Sequence, residues 1–140
     1  PDGFITTSPK ALAEGVNRMR NKLVSQRDDL SFYRLDPDPA ADTLVIVYGV
    51  TARAAEVSIN RLREQSHCIS LIVLQTLYPV PEILLIGEIA KVSRVIVVEM
   101  NLGQYVREVV RFSGATAVEF FGKMDGELIS PDEIIRVIVP

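Results

Sequence analysis

The sequence predicts an α/β fold: three layers, with helices on both faces of a five-stranded, mostly parallel sheet whose one antiparallel strand sits at an edge. Three observations predict it. Thr43–Tyr48, Ile69–Gln75 and Val95–Met100 are short, nearly continuous apolar runs, as expected of parallel strands covered on both faces. Each is followed by a segment with helical spacing of apolar residues. The resulting alternation of strand and helix is the pattern of a helix-covered parallel sheet with right-handed crossovers.

Taken in order, the chain begins at Pro1 without Met, which reads as a piece of a longer protein. Ser8-Pro9 is a helix start, with Ser as N-cap and Pro in the first helical position. Leu12, Val16, Met19 and Leu23 then recur at helical steps, so a helix over about 8–28 with these four residues on one face is predicted. Arg18, Lys22 and Arg27 fall off that face and read as a solvated surface. Ser31–Leu35, with Phe32 and Tyr33, is a short strand entered from this helix, and it is placed at the edge. Asp36-Pro-Asp-Pro-Ala-Ala-Asp42 can form nothing regular and is a loop of ordinary length, so the 140 residues are read as a single domain.

Thr43–Tyr48 is the first strongly apolar strand. Gly49 ends it, and a helix follows over Thr51–Glu64 with Ala52, Ala55, Ile59 and Leu62 inward. Ile69–Gln75 is the next strand. After Tyr78-Pro-Val-Pro81 a helix spans about 82–92, where Ile83, Leu84, Leu85 and Ile86 are consecutive and cannot share one face. A helix apolar around most of its girth is buried on more than one side, so its outer side is expected to meet another domain or subunit. Val95–Met100 leads into a helix over Gln104–Phe112, with Tyr105, Val106, Val109 and Val110 inward and Gly114 closing it. Thr116–Phe121 is the last strand. Ser130-Pro-Asp-Glu133 combines a capping box with Pro in the first turn and starts a short terminal helix anchored by Ile134, Ile135 and Ile138.

Composition narrows the function. A net charge of −3 argues against a general nucleic-acid binder, which needs a basic surface. No apolar run approaches the ~18 residues of a membrane span, and no signal peptide shows. Cys68 is alone, so no disulfide framework or cluster-binding cysteine set can form, and a reducing, cytoplasmic setting is expected. Cys68 reads as a small buried residue at a strand entry. His67 has no spacing partner for zinc and no acid neighbour for catalysis.

Ligands of open α/β sheets gather beyond the carboxyl ends of the strands. The candidates there are Gly49 and Thr51 after the first apolar strand, and Glu99, Asn101, Gly103 and Gln104 after the third. Gly49 starts a helix whose amides could hold an anion, but no phosphate-binding glycine fingerprint accompanies it. Glu99 is the only acid at a strand end. Buried, it could be tuned for proton transfer, or it could anchor the loop that follows. Asn101 and Gln104 can donate and accept hydrogen bonds but cannot serve as bases near neutral pH, and they are expected to brace the turn or grip a partner. The fragment reads as non-catalytic. Two other readings stand beside this one: an independent doubly wound small-molecule-binding domain, and an enzyme using Glu99.

Val98-Val-Glu-Met-Asn-Leu-Gly-Gln104, with Tyr48-Gly-Val-Thr51, Leu77-Tyr-Pro-Val-Pro81 and Lys123-Met-Asp-Gly-Glu-Leu-Ile-Ser-Pro-Asp-Glu133, resembles the 2-oxoacid:ferredoxin oxidoreductases. The match is to the carboxy-terminal, transketolase C-terminal-like domain of their alpha subunit, and the Glu-Met-Asn-Leu-Gly-Gln form leans toward the 2-oxoglutarate type. Arg20-Asn-Lys22 fits the segment that joins this domain to the rest of the subunit. The resemblance implies an enzyme that decarboxylates a 2-oxoacid on thiamine diphosphate with Mg, passes electrons through an iron–sulfur cluster to ferredoxin, and makes an acyl-CoA with coenzyme A. It implies that these groups are held by the N-terminal domain of the same alpha subunit and by the beta subunit, and it gives this piece no catalytic, cofactor-binding or metal residue. The piece would buttress its neighbours through the crest residues and Ile83–Ile86, and alone it could self-associate.

Overall fold

A computed structural model of the chain describes residues 6–140. Pro1, the basis for reading the chain as a fragment, lies outside them. The described residues form α1 (Pro9–Ser25), α2 (Arg27–Leu30), β1 (Tyr33–Asp36), β2 (Thr43–Tyr48), α3 (Thr51–Glu64), β3 (Ile69–Leu74), α4 (Glu82–Ile89), β4 (Arg94–Glu99), α5 (Val106–Val110), β5 (Ala117–Gly122) and α6 (Pro131–Ile138). The sheet order is β1-β3-β2-β4-β5. β1 runs antiparallel to β3, with Tyr33 opposite Leu74 and Asp36 opposite Leu71. The other pairings are parallel.

Strict alternation along the central strands divides the core into two. Val45, Val47, Ile96 and Val98 face α3 and α6, meeting Ala55, Ile59, Leu62, Ile134 and Ile138. Leu44, Ile46, Val95 and Val97 face α4 and α5, meeting Leu85, Ile89, Tyr105 and Val109. Each fully buried aliphatic side chain here contributes roughly 1.5–3 kcal/mol. Polar ties lock the layers. Ser58 Oγ donates to the carbonyls of Ala54 (2.7 Å) and Pro131 (2.9 Å), joining α3 to α6. The Arg94 guanidinium grips both Glu119 oxygens at 2.6 and 2.8 Å and donates to the carbonyls of Val137 (2.8 Å) and Ile138 (2.7 Å). One side chain thus pins β4 to β5 and also satisfies carbonyls at the end of α6.

The capping box at α6 is formed in full, Ser130 Oγ accepting from Glu133 N and Glu133 Oε2 accepting from Ser130 N at 2.8 Å. Ser130→Ala removes one half of it and is expected to cost about 1 kcal/mol, read as a lower urea midpoint with an unchanged slope.

Several expectations are corrected. The first helix breaks at Gln26, where φ is −117° and ψ 22°, so α1 and α2 replace one helix over 8–28. The apolar face of α1 points out over most of its length: Leu12 is 50% exposed and Val16 and Met19 are each 59% exposed, while Leu23 is half-buried. The periodicity is real, but the described residues provide no surface to cover it. Helix α5 is shorter than Gln104–Phe112, because residues 101–105 form a turn organised by Asn101. Val110 is 52% exposed instead of inward, since a five-residue helix has room for only one buried row. Cys68 is exposed, because β3 starts one residue later, at Ile69.

Candidate functional site

The sheet reverses its winding at β2. The chain leaves β2 through α3 on one face to reach β3, then returns through α4 on the other face to reach β4. The carboxyl ends of β2 and β4 therefore flank the crevice where this architecture ordinarily receives a ligand. Tyr48 and Glu99 occupy those two ends.

Glu99 has 0% of its surface exposed. Its Oε2 accepts from the backbone N of Tyr105 (2.9 Å) and from the Tyr48 hydroxyl (2.7 Å). Its Oε1 accepts from Val106 N at 2.9 Å. Burial alone would push this carboxyl up, but the bonds from Tyr105, Tyr48 and Val106 outweigh it and hold the group below the ordinary carboxylate value. The carboxylate is thus ionised at neutral pH. Tyr48 moves the opposite way, pushed up to about 12 by burial, by its bond to Glu99 and by that group's charge. It stays a proton donor. Its ring stands edge-on to Tyr105, with centroids 5.7 Å apart and planes at 63°.

Asn101 completes the tie. Its Nδ2 donates to the Tyr48 hydroxyl at 2.5 Å, and its Oδ1 accepts from the backbone N of Gly103 and of Gln104, both at 2.9 Å. Gly103 has φ +81°, a left-handed conformation that glycine adopts without a Cβ clash. Gln104 gives only its backbone N–H to this network and is exposed. Thr51, 2% exposed, donates its hydroxyl back to Tyr48 O at 2.6 Å. Gly49, with φ +61°, makes the turn between them.

The structure thus brings Glu99 and Asn101 together on one phenol, with Gly103 bonded to Asn101 and Thr51 to the Tyr48 carbonyl. The sequence reading quoted Tyr48 in a motif and as a strand residue but missed it as a member of the site; a tyrosine at one strand end and an acid at another was the available signal. Gly122 was missed as well. It pairs with Glu99 in register, and a Cβ there would lie 2.6 Å from Asn101 O, so only glycine lets β5 pass the turn. Chemically the tie is a closed one: the side chains of Tyr48, Glu99 and Asn101 each bond to another protein group.

The apolar candidates lie apart, on α4. Ile83 is 74% and Ile86 53% exposed, whereas Leu85 has 0% exposed and belongs to the core. Leu85 is therefore withdrawn as a contact residue, its side chain being turned onto the sheet. Leu84 is half-buried.

Residues 41–134 match the model of the family described as Pyruvate:ferredoxin oxidoreductase core domain II. The 2-oxoglutarate synthase subunit KorA of Methanothermobacter marburgensis is 35% identical over 135 residues, covering 95% of this chain and 36% of that protein. The subunit of the same name from Methanocaldococcus jannaschii is 32% identical over 138 residues, covering 98% of this chain and 37% of that protein. The chain thus spans little more than a third of the curated relatives it matches. Among solved structures, the 2-oxoglutarate:ferredoxin oxidoreductase from Magnetococcus marinus, with 2-oxoglutarate, coenzyme A and succinyl-CoA bound, superposes with TM-score 0.79 at 20% identity, covering 97% of this chain and 24% of that one. A split-gene transketolase, an inactive beta4 tetramer, gives TM-score 0.61 at 17% identity over 75% of this chain and 40% of that one. These two likenesses show the fold, which is the transketolase C-terminal-like α/β arrangement. With two thirds of its length inside the family's model and with relatives of this kind along nearly all of it, the chain belongs to the pyruvate:ferredoxin oxidoreductase core domain II family.

Proposed function

We propose that this chain is the assembly domain of the alpha subunit of a 2-oxoacid:ferredoxin oxidoreductase of the 2-oxoglutarate type, and that it performs no chemical step itself. The observation that carries the reading is on α4, where Ile83 and Ile86 stand 74% and 53% exposed beside a helix face already seated on the sheet. Water-facing isoleucines in such a setting mark a surface that another polypeptide covers. The Tyr48–Glu99–Asn101 tie supports the same reading, because its polar groups are spent on one another and on the backbone instead of being offered to a small molecule.

In this proposal the partners are the N-terminal domain of the same subunit and a beta subunit, with ferredoxin receiving the electrons. Thiamine diphosphate with Mg, an iron–sulfur cluster and coenzyme A belong to the complete enzyme. The residues of this chain do not fit a cysteine-held cluster, and in this proposal the thiamine diphosphate is held outside it. The sequence has one cysteine, and among the described residues no three His, Cys, Asp or Glu side chains gather. No helix of the described residues is long and apolar enough to cross a membrane.

The experiment is Ile83→Lys with Ile86→Lys in the complete enzyme. Subunit co-elution and 2-oxoglutarate-dependent ferredoxin reduction are expected to be lost together, while the 140-residue chain carrying both changes keeps its circular-dichroism melting curve. Intact assembly with both lysines in place would refute the reading.

A further inference from the structure

Helix α1 spans 17 residues and has no buried residue. Helices in proteins draw most of their stability from packing an apolar face, yet Leu12, Val16 and Met19 are left at least half exposed. With Leu23 they follow one another at steps of four, three and four. That is the repeat of a coiled-coil seam, in which apolar core positions recur every 3.5 residues or so, about two per heptad. We infer that α1 is half of a two-helix coiled coil, and that the other half is a partner helix with acidic residues flanking its apolar seam. No α4 isoleucine takes part, so the assembly surface there can fail without this one.

The charges beside the seam select the partner. At about 100° per residue the four apolar side chains fall within an arc of about 60°. Arg20 borders that arc on the Val16 side and Lys22 on the Met19 side, while Glu14, the one acid of α1, lies on the far face. Both bases are exposed, and among the described residues neither is in an ion pair. In a coiled coil the positions flanking the core meet those of the neighbouring helix and decide which neighbour is accepted. Two copies of α1 would set basic flank against basic flank in either orientation, which repels. The other helices of a second copy do not serve: α2 and α5 have four and five residues, and α3, α4 and α6 are seated on the sheet. Charge complementarity therefore asks for carboxylates on a helix from outside these 140 residues.

The width of the stripe separates a protein helix from a lipid surface. A helix lying in a membrane interface buries a broad apolar face that commonly includes aromatic residues. A stripe confined to the core positions is the narrower seam of a coiled coil. Helix α1 has no aromatic residue, and Asn17, Asn21 and Glu14 occupy its far side. Its length of about 25 Å accommodates about two heptads, a short contact that salt weakens because charged flanks contribute to it.

The test is an amide-resonance titration of the 140-residue chain with a synthetic peptide of about three heptads, leucine and valine in its core positions and glutamate on both flanks. The control is the same peptide with lysine on the flanks. The glutamate peptide is expected to shift the Leu12, Val16 and Met19 amides saturably, and the lysine peptide is expected not to. Arg20→Glu with Lys22→Glu should weaken the glutamate peptide by about tenfold and make the lysine peptide the better ligand. Val16→Asp should abolish binding of both. All three positions are exposed, so the melting curves of these variants should match that of the unaltered chain. Ile83→Lys with Ile86→Lys should leave the titration unchanged, which keeps a failure here distinct from a failure of the assembly reading. Equal shifts from the two peptides, no saturable shift from either, or a preference unmoved by the double reversal would each overturn the inference. So would vesicles of phosphatidylserine that shift the α1 amides where the glutamate peptide does not.

Discussion

Glu99→Ala is expected to lower the free energy of unfolding by about 3–5 kcal/mol, the largest loss from any single side chain at the crest. The side chain accepts three hydrogen bonds from inside the protein. Removing it leaves Tyr105 N, Val106 N and the Tyr48 hydroxyl facing one another across a void, and each buried unmatched donor costs about 1–3 kcal/mol. Against a total of roughly 5–15 kcal/mol for a domain, that loss shows as a large drop in the urea midpoint. A change under about 1 kcal/mol would mean that water replaces the carboxylate freely and that the tie is not structural.

The same group gives the protein an acid limb. Its folded-state pKa lies below the ordinary 4.5, so its contribution is complete above that value and disappears as pH falls through the depressed one. Glu133 acts in the same direction: bonds from the Ser130 backbone and hydroxyl, then from Lys123, push it down to about 2. Wild type and Glu99→Gln should therefore differ most in stability near neutrality, and their urea midpoints should converge as pH falls below 4.5 through the depressed value of Glu99; Glu133 is common to both and leaves the difference unchanged. The glutamine offers an N–H₂ where two backbone donors already point, and for that reason it is the weaker variant at pH 7.

The second large effect separates two neighbours on α4. Leu85→Ala is expected to cost about 3 kcal/mol, within the range for fully buried leucines, because its side chain has no exposed surface. Ile86→Ala, one residue on and 53% exposed, is expected to change stability by no more than about 0.5 kcal/mol. Urea melts of the two variants of the 140-residue chain make the comparison. Similar losses in both would show that Ile86 also packs within this domain, which would remove the basis for a covering partner.

The pattern of what the sequence revealed follows from how signals arise. The strands Thr43–Tyr48, Ile69–Leu74 and Arg94–Glu99 were legible to within a residue because double-sided burial leaves an apolar run with no other explanation. Helix α3 was legible to the residue, since Ala52, Ala55, Ile59 and Leu62 mark one face. The antiparallel edge position of β1 followed from its entry out of a helix instead of through a crossover. Periodicity along α1 and α4 showed that apolar surface exists but not which surface meets it. Hence Leu12, Val16 and Met19 were put on one face without what covers it, and Leu85 was grouped with Ile83 and Ile86. At the crest the acceptor, Glu99, could be named, but not its donors. Two of them are backbone groups, which no side-chain pattern reports, and the third, Tyr48, lies about fifty residues earlier and comes into reach only through the parallel register of β2 with β4.

The phenol bridging β2 and β4 also makes this scaffold adaptable in a definite place. Tyr48 stands where kindred architectures receive nucleotides and other guests, with its hydroxyl tied to Glu99 and Asn101. An engineer wanting to install a recognition pocket would begin by shortening that one side chain. The helices could stay untouched, but Glu99 would then need a new donor supplied by the guest itself.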